Sequence, residues 1–231
     1  MKIWSEIPPG AGMGSSAAVA VAATVAISSL QGITLSKREV YDISFEAEKD
    51  VHGTPSGVDN AIATHGSAII FRRGQVKRIK LDGDVPLVVG DTGVRRNTGE
   101  WVAKVRERRE KCKETVDPII RLIGKISMRG LQLLRKGCLR ELGELMDINQ
   151  GLLDALGVST LALSNLIFAA RGAGAYGAKL TGAGGGGCMI ALTSRDKSSV
   201  VAGAIRDAGG TPIITGVSME GVKIETEFKE A

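Results

Sequence analysis

Residues Ile7 to Ala18 constrain this chain more than any other stretch. They read Ile7-Pro8-Pro9-Gly10-Ala11-Gly12-Met13-Gly14-Ser15-Ser16-Ala17-Ala18, and an almost uncharged run follows to Leu30. Glycines let a backbone approach a ligand closely and adopt conformations closed to other residues. A helix that begins just beyond them turns its free N–H groups and the positive end of its dipole onto the loop, a setting that favours phosphate. Ser15 and Ser16 fit the helix cap, leaving one hydroxyl for a metal ion held by phosphates. By itself the run reads equally as a tight loop packed against a core. It lacks the Gly-Lys-Ser/Thr ending of the common P-loop, so a nucleotide site here is of another type.

Downstream, Gln31-Gly32 stops the first helix, and Ser36 with Glu39 forms a capping box for a second that runs to about Lys49. Tyr41, Phe45 and Glu48 share one row of that helix. Glu48 therefore either continues an apolar row or bends out to water. The Gly- and Pro-bearing stretch Val51 to Asn60 reads as a loop, with Asp59 eleven residues after Glu48. Two carboxylates facing one cleft suit phosphoryl transfer, one holding Mg²⁺ and the other taking the proton of the attacking hydroxyl. Asp59 is equally an ordinary capping residue, His52 is ambiguous, and His65 reads as a surface or packing histidine.

Gly66 to Phe71 and Val76 to Leu81 alternate across a turn and predict a hairpin. Asp82-Gly83-Asp84 marks a domain boundary, giving domains 1–84 and 85–231. Beyond it come a strand at Val85 to Val89 and helices near Gly99–Lys113, Val116–Arg135, Leu139–Leu156 and Thr160–Ala170. Strands at Ala175–Thr181 and Cys188–Leu192 flank Gly182-Ala183-Gly184-Gly185-Gly186-Gly187. Five glycines in that turn favour a ligand contact over a flexible loop. A helix at Ser198–Ala208 and strands near Pro212–Ile214 and Val222–Phe228 close the chain.

Composition narrows the classes. The 231 residues are 43% hydrophobic, enough for one large domain or two small ones. Thirty basic and 25 acidic residues intermix to a net +5, and the basic stretch Arg95–Lys113 reads as a solvated helix face, with attraction of an anionic substrate as the second reading. Two Trp, two Tyr and four Phe are too few for the stacking platforms of a nucleic-acid binder. Three scattered cysteines support neither disulfides nor zinc, and the apolar run near Ala17 is too short to span a bilayer. A cytoplasmic, membrane-free setting is expected.

Pro8–Ala18, His52–Asn60 and Lys179–Cys188 together resemble the second motif, the catalytic-aspartate segment and the third motif of the GHMP small-molecule kinases. Arg96-Asn97-Thr98, Asp147-Ile148-Asn149-Gln150 and Leu156-Gly157-Val158 bring the chain nearest to the members that phosphorylate mevalonate. The resemblance implies an α+β fold of two domains, the second ferredoxin-like. It implies that Pro8 to Ala18 hold the phosphates of ATP, that Ser16 and Glu48 ligate Mg²⁺, and that Asp59 is the base at the C5 hydroxyl of mevalonate. Thr98 and Gly182, Ala183, Gly184 and Gly185 would line the cleft from the second domain, with His52 shaping the substrate side. A homodimer is usual for the family.

The same resemblance implies a first motif, Pro-x-Lys with a Gly-Glu-His segment, ahead of the second; these residues contain no match to it. The expectation is an N-terminally truncated or mis-started chain with an incomplete first domain, an exposed sheet edge and a tendency to aggregate. A kinase for another small alcohol or acid (phosphomevalonate, a sugar, homoserine) and a non-catalytic nucleotide-binding remnant are the alternative functions.

Overall fold

The computed structural model describes residues 2–7, 12–52, 55–72, 74–81 and 83–225, and only the backbone of residues 51 and 52. Expectations that fall on Pro8 to Ala11, on Gly53 and Thr54, on the His52 side chain or on 226–231 lie outside the described residues. Two compact units form. Met13–Lys80 and the run from Ser218 make the first; Leu81–Val217, joined by Gly12, make the second.

In the first unit, helix α1 spans Ser15–Leu30, α2 Lys37–His52 and α3 Val58–His65, followed by the antiparallel hairpin of β1, Ala68–Arg72, and β2, Gln75–Ile79. The serines do not cap α1. Gly14 does, at φ 71°, with no side-chain cap bond, so Ser15 and Ser16 stand inside the first turn. The far end closes as expected: Gly32 N–H bonds Ser29 O at 3.0 Å and Ile33 N–H bonds Ser28 O at 2.9 Å, which satisfies the last carbonyls. The capping box of α2 also forms, Glu39 Oε2 accepting from Ser36 N–H at 2.8 Å and Ser36 Oγ from Glu39 N–H at 3.3 Å.

Three sequence expectations change here. The loop expected through Asn60 ends earlier, because Gly57 at φ 76° starts α3 and places Asp59 in its first turn. The loose alternation of Met1 to Ile7 reads as the last part of a strand entering the loop, yet residues 2–6 form none, since no strand among the described residues pairs with them. The closing segment is not a strand over 222–225; it crosses the end of α3 instead. Val222 N–H bonds Ala63 O at 2.9 Å, Ser67 N–H bonds Ser218 O at 2.7 Å, and the Arg78 guanidinium donates to Met219 O. Gly66 and Gly221 permit this crossing: a Cβ on either would lie 2.2 Å from the opposing backbone.

The second unit runs β3 Pro86–Asp91, α4 Thr98–Lys111, α5 Lys113–Arg135, α6 Leu139–Ala155, α7 Leu161–Gly172, β4 Gly177–Leu180, β5 Cys188–Leu192, α8 Ser198–Asp207 and β6 Thr211–Gly216. The sheet order β4-β5-β3-β6 is antiparallel throughout, the ferredoxin-like β-α-β-β-α-β arrangement with extra helices after β3. Val88, Ala178, Leu180, Met189 and Ala191 point to one face. There they meet Leu163, Leu166 and Ile167 of α7 and Val201 and Ile205 of α8, forming the core.

Edge strand β4 is covered by α6. Asp147 Oδ1 accepts from Ala178 N–H at 2.8 Å and Gln150 Oε1 from Leu180 N–H at 2.9 Å. Arg171 closes the cover, bonding Asp147 at 2.8 Å and Ala178 O at 2.7 Å. The approach is backbone to backbone, since a Cβ on Gly177 would lie 2.0 Å from Gly143 O. Side chains thus satisfy N–H groups that would otherwise template another strand.

Candidate active site

In the first unit the start of α1, the end of α2 and the start of α3 converge. Tyr41 and Phe45 stack at 5.6 Å on the buried side of α2 and fill the space behind Gly57, where a Cβ would lie 2.6 Å from the Tyr41 hydroxyl. That glycine lets α3 begin against α2. Its next residues are Asp59, beside Gly14, and Asn60, which reaches back to α2. A Cβ on Gly14 would lie 3.3 Å from both Cβ and Cγ of Asp59. The Asp59 carboxyl and the first turn of α1 are therefore neighbours.

Glu48 is buried, 8% exposed, so it continues the apolar row instead of bending to water. Asn60 Nδ2 donates to it at 3.2 Å. Desolvation first, and then the Glu48 charge, raise the Asp59 carboxyl above its ordinary pKa. Two carboxylates that feel each other beside a helix N-terminus can divide work between a cation and a proton. Their donors are hard oxygens, as is the Ser16 hydroxyl. Hard oxygen donors suit Mg²⁺, which takes one or two protein oxygens and completes its shell with phosphate and water.

The second unit carries a buried cation of its own. Arg96 Nη1 donates to Gly184 O at 2.9 Å, while Nε is buried with no hydrogen-bond partner among the described residues. Burial lowers its pKa, and no carboxylate among the described residues is paired with it. The guanidinium lies where a Cβ on Gly12 or Gly182 would stand, 2.4 and 2.7 Å from Nη2. Gly182 to Gly187 form a fixed turn. Gly185 N–H bonds Val158 O at 2.8 Å and Gly187 N–H bonds Val94 O at 3.0 Å. A Cβ on Gly185 would lie 2.0 Å from the Trp101 ring, so packing inside the protein accounts for part of this glycine content. Thr98 opens α4, where Asn97 Oδ1 caps Gly99 N–H at 2.9 Å.

The structure thus brings Gly14, Asp59 and Glu48 together in one unit, and Gly12, Gly182 and Gly184 around Arg96 in the other. Met13, Ala17 and Ala18 flank Gly14 at the head of α1, and His52 ends α2. Neither Arg96 nor Asn60 was a site residue in the sequence reading. The signal for Arg96 was the Arg96-Asn97-Thr98 run at the start of the basic stretch Arg95–Lys113. For Asn60 it was its place at the end of the family-like stretch His52–Asn60, next to Asp59. No described helix is long and apolar enough to cross a membrane.

The family models for the GHMP kinases N terminal domain and the GHMP kinases C terminal domain match residues 1–67 and 131–211. The chain belongs to the GHMP kinase family. Within it, the chain sits among the mevalonate kinases. It is 48% identical to the mevalonate kinase of Pyrococcus furiosus over 99% of this chain and 70% of that protein. With the mevalonate kinase of Aeropyrum pernix identity is 39%, over 96% and 69%. The crystal structure of L. major mevalonate kinase with R-mevalonate matches at TM-score 0.88 and 31% identity, covering 94% of this chain and 69% of that one.

Proposed function

We propose that the chain transfers the γ-phosphoryl group of ATP to the C5 hydroxyl of mevalonate. The observation that carries this reading is the placement of Asp59 against Gly14 at the head of α1. The free N–H groups at that helix start would receive phosphate oxygens, and the glycines let the backbone close on them. Ser16 and Glu48 would hold Mg²⁺, which when bound neutralises charge on the β- and γ-phosphates. Asp59 would accept the proton of the C5 hydroxyl as its oxygen attacks phosphorus. The raised pKa strengthens the carboxylate as a base, provided it is ionised at the working pH. In the second unit Arg96, paired with no carboxylate among the described residues, would be an anion-binding group of its own. Its fork suits phosphate oxygens as a lysine would not. Three free thiols agree with a reducing, cytoplasmic setting.

Phosphorus NMR of the chain with ATP, Mg²⁺ and one acceptor at a time tests the reading. Mevalonate should give 5-phosphomevalonate and ADP, while phosphomevalonate, homoserine and galactose remain unphosphorylated. Preferential phosphorylation of another acceptor would overturn it.

A further inference from the structure

Asn60 does not touch the reacting atoms in the scheme above, yet it is 1% exposed and its amide is spent on one helix. Nδ2 donates to Ser44 O at 3.1 Å and to Glu48 Oε2 at 3.2 Å, one turn apart on α2. Ser44 is itself fully buried, and its hydroxyl donates to Tyr41 O at 3.1 Å, so the receiving turn is fixed. We propose that Asn60 is the positioning residue for the metal-side carboxylate, holding Glu48 in the rotamer that presents its other oxygen to the cation.

The residue type fits this task. A lysine or arginine at 60 would hold the carboxylate equally well but cancel the charge that attracts a metal. An amide fixes the oxygen and leaves the charge in place. The placement also couples the two carboxylates mechanically. Asp59 and Asn60 are consecutive on α3, so the bond that orients Glu48 sets its position relative to Asp59. A purely structural tie between α2 and α3 would serve as well through the Ser44 carbonyl alone. The second bond, to the carboxylate, is what that role leaves unexplained.

The inference rests on the reading of Glu48 as a magnesium ligand, and the test separates the two. Mn²⁺, as a paramagnetic substitute for Mg²⁺, is titrated into the full chain with a non-hydrolysable ATP analogue, and free Mn²⁺ is read by electron paramagnetic resonance. Asn60→Leu, similar in shape without a donor, and Asn60→Ser, smaller and polar, should each weaken Mn²⁺ binding about tenfold. Nucleotide affinity without metal should stay within about twofold, since the residue acts only through the ligand. In the Glu48→Gln background neither change should weaken Mn²⁺ binding further. A loss smaller than about threefold in a variant that still melts cooperatively overturns the proposal. Should Glu48→Gln itself leave Mn²⁺ binding unchanged, the ligand assignment fails first and takes the positioning role with it.

Discussion

At the scale of single residues, the account depends on one carboxyl and its surroundings. Asp59 is desolvated and faces the Glu48 charge, both of which raise its pKa from the ordinary 3.8. The base must be ionised to accept a proton, so kcat/KM should fall as pH drops through the raised value. The acid limb is therefore expected above 3.8, and a midpoint at or below it would contradict the rise that burial first, and then the Glu48 charge, produce. The same shift has a stability sign. A carboxyl whose pKa rises on folding destabilises the fold above its folded pKa, and that cost disappears below its unfolded one. Asp59→Asn should thus raise the melting temperature of the metal-free chain at neutral pH, with the gain fading as pH approaches the ordinary value. Its rate of transfer should fall roughly 100-fold or more. The sequence exposed Asp59 and Glu48 as candidates because helical spacing carried Glu48 along the Tyr41–Phe45 row. Arg96 is visible in the sequence only within a basic stretch and a family-like Arg-Asn-Thr run; that it pairs with no carboxylate among the described residues depends on where the chain folds.

Elements were legible where their signals are local. The capping box at Ser36, the stop at Gly32 and the hairpin around Gly74 all form, because each is decided within a few residues. The start of α3 was not legible: Gly57 caps it in the left-handed region at φ 76°, and Tyr41 and Phe45, distant in sequence, occupy the space a side chain there would need. The Gly182–Gly187 turn was half legible, its glycines plain in the sequence but their packing partners Trp101, Val158 and Val94 distant in it. The cover on β4 makes a sharper case. Replacing Asp147 and Gln150 with leucine would leave two strand N–H groups without acceptors, at about 1–3 kcal/mol each. Chemical denaturation should read a loss of roughly 2–6 kcal/mol, together with concentration-dependent association through the opened edge. Stability unchanged within about 0.5 kcal/mol would mean that water satisfies those groups as well.

On the scale of the whole molecule, the two units differ in how far they bury their apolar elements. The second has a continuous core between its sheet and two helices. The first has α1, apolar on every side, with only Ala17, Val21 and Ser28 buried, while Ile27 and Leu30 are 47% and 86% exposed. A helix hydrophobic all round belongs in an interior. Trp4, 70% exposed, and residues 2–7 beside Ala18, Val19 and Ala22 border a cavity of about 570 Å³ in the same unit. This long-range shortfall was not legible from periodicity, since α1 reads as a good core helix whether or not anything covers it. The catalytic reading does not depend on that face, because Gly14, Asp59 and Glu48 meet at the junction of three helix ends. The most direct test is a crystal structure of the chain with Mg²⁺, a non-hydrolysable ATP analogue and mevalonate. The triphosphate is expected on the N–H groups at the start of α1, the metal on Ser16 and Glu48, and the C5 oxygen within hydrogen-bond reach of Asp59. A triphosphate bound away from the start of α1, or a C5 oxygen remote from Asp59, would contradict the catalytic reading.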